Sequence, residues 1–117
     1  MEVFPMELVT RTATIANGAS LSDAVQVDGA ALVGIIMPAA WTAANLTLQA
    51  SHDDSTFNNV YDELGTEKTI VSSTSRYISL NPADYLGANS LKVRSGTAGT
   101  PVNQGGARSI VLVLHVP

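Results

Sequence analysis

Short runs rich in β-branched residues recur between turn signals about every ten positions, and no segment keeps a 3.6-residue apolar period long enough for a substantial helix. The cleanest alternation is Asn45 to Ser51, where Leu46, Leu48 and Ala50 share one side and Asn45, Thr47, Gln49 and Ser51 the other. That is the pattern of a strand with one face in a core and the other in water. The same parity turns Ile78, Leu80, Leu91 and Val93 inward and leaves Lys92 and Arg94 outside, and Leu32, Ile36, Leu112 and Leu114 complete the expected core. Asn17-Gly18 and Asp28-Gly29 end the first two runs with dipeptides suited to tight turns. Weaker strands fall near Val60-Tyr61 and Thr69 to Val71. The total of about eight predicts an all-β fold, a single-domain antiparallel β-sandwich with jelly-roll-like connections. Residues 1–7 read as an extended N-terminal arm and residues 8–117 as the sandwich domain.

Two runs break the alternation. Ala31 to Met37 and Ile110 to Val116 are apolar at nearly every position, whereas a strand of a two-layer sandwich should show one face to water. Val33, Ile35, Val111 and Val113 are the expected outward residues that need cover. A neighbouring subunit would supply it, and so would the arm, the Pro38 to Ala44 segment or a long loop folding back within the chain. The first option predicts a homo-oligomer. The arm adds Val3, Phe4 and Met6, with Pro5 holding it extended, and ordering so short an apolar segment requires a contact to offset the lost entropy. Val3, Phe4, Met6, Val33, Ile35, Val111 and Val113 are therefore the candidate contact residues. Gly96 to Gly106, rich in glycine, is the most flexible-looking loop.

Composition narrows the partners. Charged residues make up 14% of the chain, against about 25% in typical domains, so solubility rests on Ser, Thr and Asn. A net charge of −4 is the wrong sign for affinity that comes from neutralising phosphates, so no direct nucleic-acid binding is expected. With no cysteine there is neither a disulfide framework nor a thiolate nucleophile. The acidic start Met1-Glu2-Val3-Phe4-Pro5 lacks the basic and apolar regions of a secretion signal, which predicts synthesis in the cytoplasm. The longest apolar stretch, Ala30 to Trp41, is interrupted by Pro38 and falls short of the roughly 20 residues of a membrane-spanning helix.

The densest group of titratable residues is His52-Asp53-Asp54. Neighbours on an extended chain point to opposite sides, and Ser55 follows, so a polar hairpin turn is expected there. A hard-cation site through Asp53, Asp54 and Asp62 or Glu63 is the alternative. Neither a phosphate loop, a nucleophile elbow nor a paired-histidine motif occurs, so no catalytic, cofactor or metal residue is assigned and no enzyme is expected. Trp41 lies between alanines just after a core strand and is expected to pack in the core or between subunits. With Phe57, Tyr61, Tyr77 and Tyr85 it would otherwise make a sugar-stacking platform. His115 reads as a sheet-edge or interface residue, and Arg76, Arg94 and Arg108 as outward residues paired with carboxylates.

The run LVGIIMPAAWTAANLTLQASHDDSTFNNVYDELGTE, followed by YISLNPADYLGANSLKVRSGTAGTPVNQGGARSIVLVL, resembles small proteins encoded beside the capsid genes of tailed bacteriophages and prophages. The resemblance runs from about Ala13 to Leu114. Its most specific pieces are Met37-Pro38-Ala39-Ala40-Trp41, Tyr61-Asp62 and Leu91-Lys92-Val93-Arg94-Ser95-Gly96-Thr97. Where related sequences tend to have Ser-Asp-Gly after the LTLQA strand, this chain has His52-Asp53-Asp54-Ser55. The resemblance implies a non-enzymatic virion structural protein without cofactors. Its expected role is a capsid decoration or cement protein on the capsid exterior that binds the major capsid protein and stabilises the head. It also favours a homotrimer, because cement proteins commonly sit on local threefold axes. A phage tail or baseplate component, or a carbohydrate-binding β-sandwich module, is the alternative.

Overall fold

The turn signals become chain reversals. Ala19 N donates to Ala16 O at 3.0 Å around Asn17-Gly18, and Ala30 N donates to Val27 O at 3.0 Å around Asp28-Gly29. The computed structural model describes residues 7–116. Nine strands alternate with these turns: β1 (Glu7–Ile15), β2 (Val25–Gln26), β3 (Ala31–Ile36), β4 (Leu46–Ser51), β5 (Asn58–Asn59), β6 (Thr69–Ile70), β7 (Tyr77–Ser79), β8 (Ser90–Ser95) and β9 (Arg108–Val116). Glu7, the last residue of the expected arm, is paired in β1, and the rest of the arm lies outside the described residues.

All pairings are antiparallel, and they nest. β1 pairs with β9, β2 with β8, β3 with β7, and β4 with both β5 and β6, as if one long hairpin had been rolled up. Rolling then brings β9 beside β3 and β8 beside β4. The result is a sheet ordered β1-β9-β3-β7 facing a sheet ordered β2-β8-β4-β5, with β6 on the same edge of β4 as β5. Counting β5 and β6 as one position gives the eight-position double-sheet jelly roll. The all-β sandwich read from the alternation is therefore the fold.

The core lies between the sheets, and parity places most of it. Leu32, Leu46, Leu48, Val93 and Leu112 are fully buried, Leu91 and Leu114 nearly so, and Ile78 and Leu80 pack half-buried against them. One pair is exchanged. Ile36, expected inside, is 38% exposed, and Ile35, expected outside, is 0% exposed in the core. The cause is a β-bulge at Val33: on β9 the partners of Leu32 and Gly34 are the consecutive residues Leu114 and Val113. An extra residue reverses the parity of everything after it in the strand.

The glycine-rich segment after β8 is held by hydrogen bonds rather than left loose. Gly96 N donates to Asn45 O, Val102 N to Ser95 O and Gln104 N to Ala19 O, at 2.7 to 2.9 Å. Gly96 has φ 89°, and a Cβ there would come within 2.8 Å of Val102 N, so only glycine fits. Gln104, 1% exposed, pins the segment to the Pro38–Ala44 loop. Its Nε2 donates to Thr42 O and Ser95 Oγ, while its Oε1 accepts from Thr42 N and Arg108 Nε. All four hydrogen-bonding directions of that buried amide are thereby used.

Candidate interaction surface

Alternation along the four strands of the β1-β9-β3-β7 sheet presents a second set of side chains away from the core. Registered rows cross this outer face. One runs Thr12, Val111, Ile36, Tyr77; the next Thr10, Val113, Gly34, Ser79; a third Leu8, His115, Ala31. None of these residues is Asp, Glu, Lys or Arg. Leu8 is 70% exposed, Tyr77 57% and Ile36 38%, so large apolar groups stand in solvent around a neutral sheet. Gly34 is fixed by the close approach of one of them, since a Cβ would lie 2.6 Å from Tyr77 Cζ. The tyrosine ring sits over the space left by the missing side chain, an aromatic placed beside a strand glycine.

The candidate contacts divide. Val33 and Val111 are half-buried and belong to the sheet's outer side, in the bulge and in the Ile36 row respectively. Val113 also faces outward but is only 5% exposed, covered within the chain between Thr10 and Gly34. Ile35 is a core residue and contributes no surface. Val3, Phe4 and Met6 lie outside the described residues. Ile36, Tyr77 and Leu8 are the surface groups that parity missed, and the signal for the first two was Gly34, whose interruption of a β-branched strand is a common mark of a bulge. His115 is on β9, an inner strand of this sheet, and not at its edge.

The Pro38–Ala44 segment, one of the alternative covers for this face, is a loop. Trp41 packs half-buried against the core and its Nε1 donates to Ala44 O at 3.1 Å. The five aromatic residues of the sugar-platform reading do not share a surface. Tyr77 is on one sheet, Phe57 beside Lys92 on the other, Tyr61 follows β5, and Tyr85 is buried.

The outer face of the other sheet is polar and bound to itself. Arg94 is 6% exposed, and both its Nη1 and Nη2 donate to Asn59 Oδ1, which also accepts from Gln49 Nε2 at 3.2 Å. Glu67 lies 4.0 Å from Arg94 and accepts from Ala98 N. Lys92 Nζ stands 4.4 Å over the Phe57 ring. Among the described residues, Arg94 is the one of the three arginines expected to meet carboxylates that does so. Arg108 Nε donates to Gln104 Oε1 and Arg76 Nε to Thr74 O, because the strand ends offer neutral acceptors nearer.

The two aspartates after β4 are consumed by the turn. Asp53 Oδ1 accepts from Thr56 N at 2.8 Å, Ser55 N at 3.0 Å and Ser51 Oγ at 3.0 Å. Those bonds, the backbone ones first, lower its pKa to about 2. Asp54 takes φ 65° and accepts from Ser90 Oγ, from Asn89 Nδ2 at 2.8 Å and from Gln26 Nε2 at 3.3 Å. His52 projects into solvent, its Nε2 3.9 Å from Asp53 Oδ2. Among the described residues no three or more His, Asp or Glu side chains converge as metal ligands.

No family model, curated protein or solved structure gives a significant match to the chain.

Proposed function

We propose that the protein is a non-enzymatic structural component of a bacteriophage virion, a decoration or cement protein that binds the major capsid protein on the outside of the head. The observation that carries this reading is the uncharged outer face of the β1-β9-β3-β7 sheet, with Ile36, Tyr77 and Leu8 exposed on it. Such a face is suited to protein contact because covering it dehydrates no ion, while each Å² of apolar surface removed from water contributes about 25 cal/mol. The sequence resemblance to proteins encoded beside phage capsid genes supplies the partner. A homotrimer would let one copy's face meet its neighbour's flank while the assembly rests on the capsid, and a repeating lattice multiplies a modest contact into tight retention.

Co-sedimentation with purified heads lacking the protein tests the reading. The native chain should pellet with the heads, and Ile36→Glu, at a cost of about 1 kcal/mol that leaves the chain folded, should not. Native chain that stays in the supernatant, or that appears on tails in a virion reconstruction, would remove the head assignment.

A further inference from the structure

The strands that border the two sheets are unequal. β2, β5, β6 and β7 span only two or three residues each, whereas β1 borders its sheet over nine, with neither a proline nor a bulge to interrupt it. An edge of that length offers a row of backbone donors and acceptors to another strand. Its direction can be read from the bonds it already makes. Thr14 N donates to Asp23 Oδ1 at 2.9 Å and Thr14 O accepts from Asp23 N at 3.2 Å, so Thr14 turns both groups away from β9. Thr10 O accepts from Arg11 Nη1 at 3.0 Å on the same side. Backbone groups alternate sides along a strand, so Leu8, Thr10 and Thr12 face the open edge. Asp23 closes that edge at Thr14, and among the described residues no strand pairs with the rest of it.

We infer that this edge pairs antiparallel with the same edge of a second copy of the chain, about a twofold axis at Val9. Opposed residues must both turn towards the partner or both away from it, which puts the axis on a residue rather than between two. Charge then selects the residue. With the axis at Val9, Glu7 lies opposite the partner's Arg11 and Arg11 opposite the partner's Glu7, in non-hydrogen-bonded pairs where side chains come closest. Leu8 and Thr10 exchange backbone bonds with the partner's Thr10 and the partner's Leu8. An axis at Leu8 or Thr10 would instead set an ion against Val9, and one at Arg11 would oppose the two guanidiniums. One at Thr12 would bring Thr10 against Thr14, whose backbone Asp23 already occupies. Asp28 lines the same groove as Arg11 but is engaged by Gln26 Nε2 at 2.7 Å, and among the described residues Arg11 makes no ion pair. The pairing joins two β1-β9-β3-β7 sheets into one and carries Leu8, 70% exposed in the single chain, against the partner's Thr10. It does not rest on the capsid reading, and a twofold contact at this edge is compatible with a threefold one elsewhere on the subunit.

Exchanging the charges tests the register. Glu7 and Arg11 are exposed, so Glu7→Arg and Arg11→Glu should keep the native melting midpoint. In sedimentation at about 0.1 to 1 mM the native chain should pair in a concentration-dependent way. Either variant alone sets like charges opposite each other and should associate at least about tenfold more weakly. An equimolar mixture of the two restores both opposite-charge pairs and should associate within about threefold of the native chain. A native chain that does not pair over that range overturns the inference. Association that neither reversal weakens, the outcome when another segment occupies the edge, overturns it too, and so does weakening that the mixture fails to rescue. If either variant does not fold, Val9→Cys replaces the exchange, since the chain has no other cysteine. The residue on the axis meets its own copy at about 4.5 Å between Cα atoms, within disulfide reach. Val9→Cys should oxidise to a dimer at least about tenfold faster than Thr10→Cys, which stands two residues out of register with its own copy and beyond that reach. Equal rates overturn the inference.

Discussion

The two outer faces of this sandwich are built from the same strand geometry and differ in chemistry. On the β2-β8-β4-β5 sheet the outward residues are polar and spend their hydrogen bonds on one another: Arg94 with Asn59, Asn59 with Gln49, Asp54 with Ser90 and Asn89. On the β1-β9-β3-β7 sheet they are threonines, valines, Ile36 and Tyr77, and no charge interrupts them. A satisfied polar network is costly to open and offers a partner few free groups. A neutral apolar sheet is nearly indifferent to its own fold and gains when covered. One face therefore carries stability and the other is left available for association, so substitutions on the two should separate these properties.

The largest effect belongs to the polar face. Arg94→Met removes two donors from Asn59 and leaves the largely buried Glu67 carboxylate without its cation, which should cost about 2 to 4 kcal/mol. Urea denaturation would read it as a lower midpoint, with the oligomer distribution of the still-folded protein unchanged. A cost below about 0.5 kcal/mol would mean that the network is surface decoration and the contrast between the faces is false.

A smaller stability effect is expected where the apolar face is tightest. Gly34→Ala places a methyl where the Tyr77 ring lies, but the ring's other side is open to solvent and it can swing away. The cost should be about 1 kcal/mol, the low end for overpacking. In a Tyr77→Ala background the same change should cost less than about 0.5 kcal/mol, a coupling that a double-mutant cycle in thermal denaturation would resolve. If the two substitutions add independently, the ring does not rest on Gly34.

What the sequence made legible follows the same division. Leu46, Leu48, Leu91 and Val93 were placed correctly because their strands run without interruption, so period two survives from end to end. Ile35 and Ile36 were exchanged because one extra residue at Val33 reverses a strand's parity, and within an apolar run both parities look equally good. The polar cluster was invisible for another reason. Gln104 is satisfied by Thr42, 62 positions away, and Arg94 by Asn59, 35 positions away, so neither burial can be read from neighbouring residues. A glycine-rich stretch that looks loose in sequence is pinned by a partner that only the rolled-up topology supplies.

The smallest predicted effect is one of acid, and it should act on one side only. Asp53 sits in the turn after β4, where amide and hydroxyl donors hold its pKa near 2 against an ordinary 3.8. A carboxyl whose folded pKa is depressed stabilises the fold fully above its unfolded value, and that contribution is lost as pH falls through the folded one. The window here runs from about pH 4 down to about pH 2. Stability measured by thermal midpoint should fall across that window in the native chain and fall less in Asp53→Asn, the two curves converging at the acid end. Among the described residues the β1-β9-β3-β7 outer face carries no carboxylate, so the proposed association through it should keep its affinity over the same range for as long as the chain remains folded. Parallel acid limbs for native and Asp53→Asn chains would show that the turn bonds do not perturb this carboxylate. An association constant that falls before the fold does would place a titrating group in the contact and end the picture of a neutral docking face.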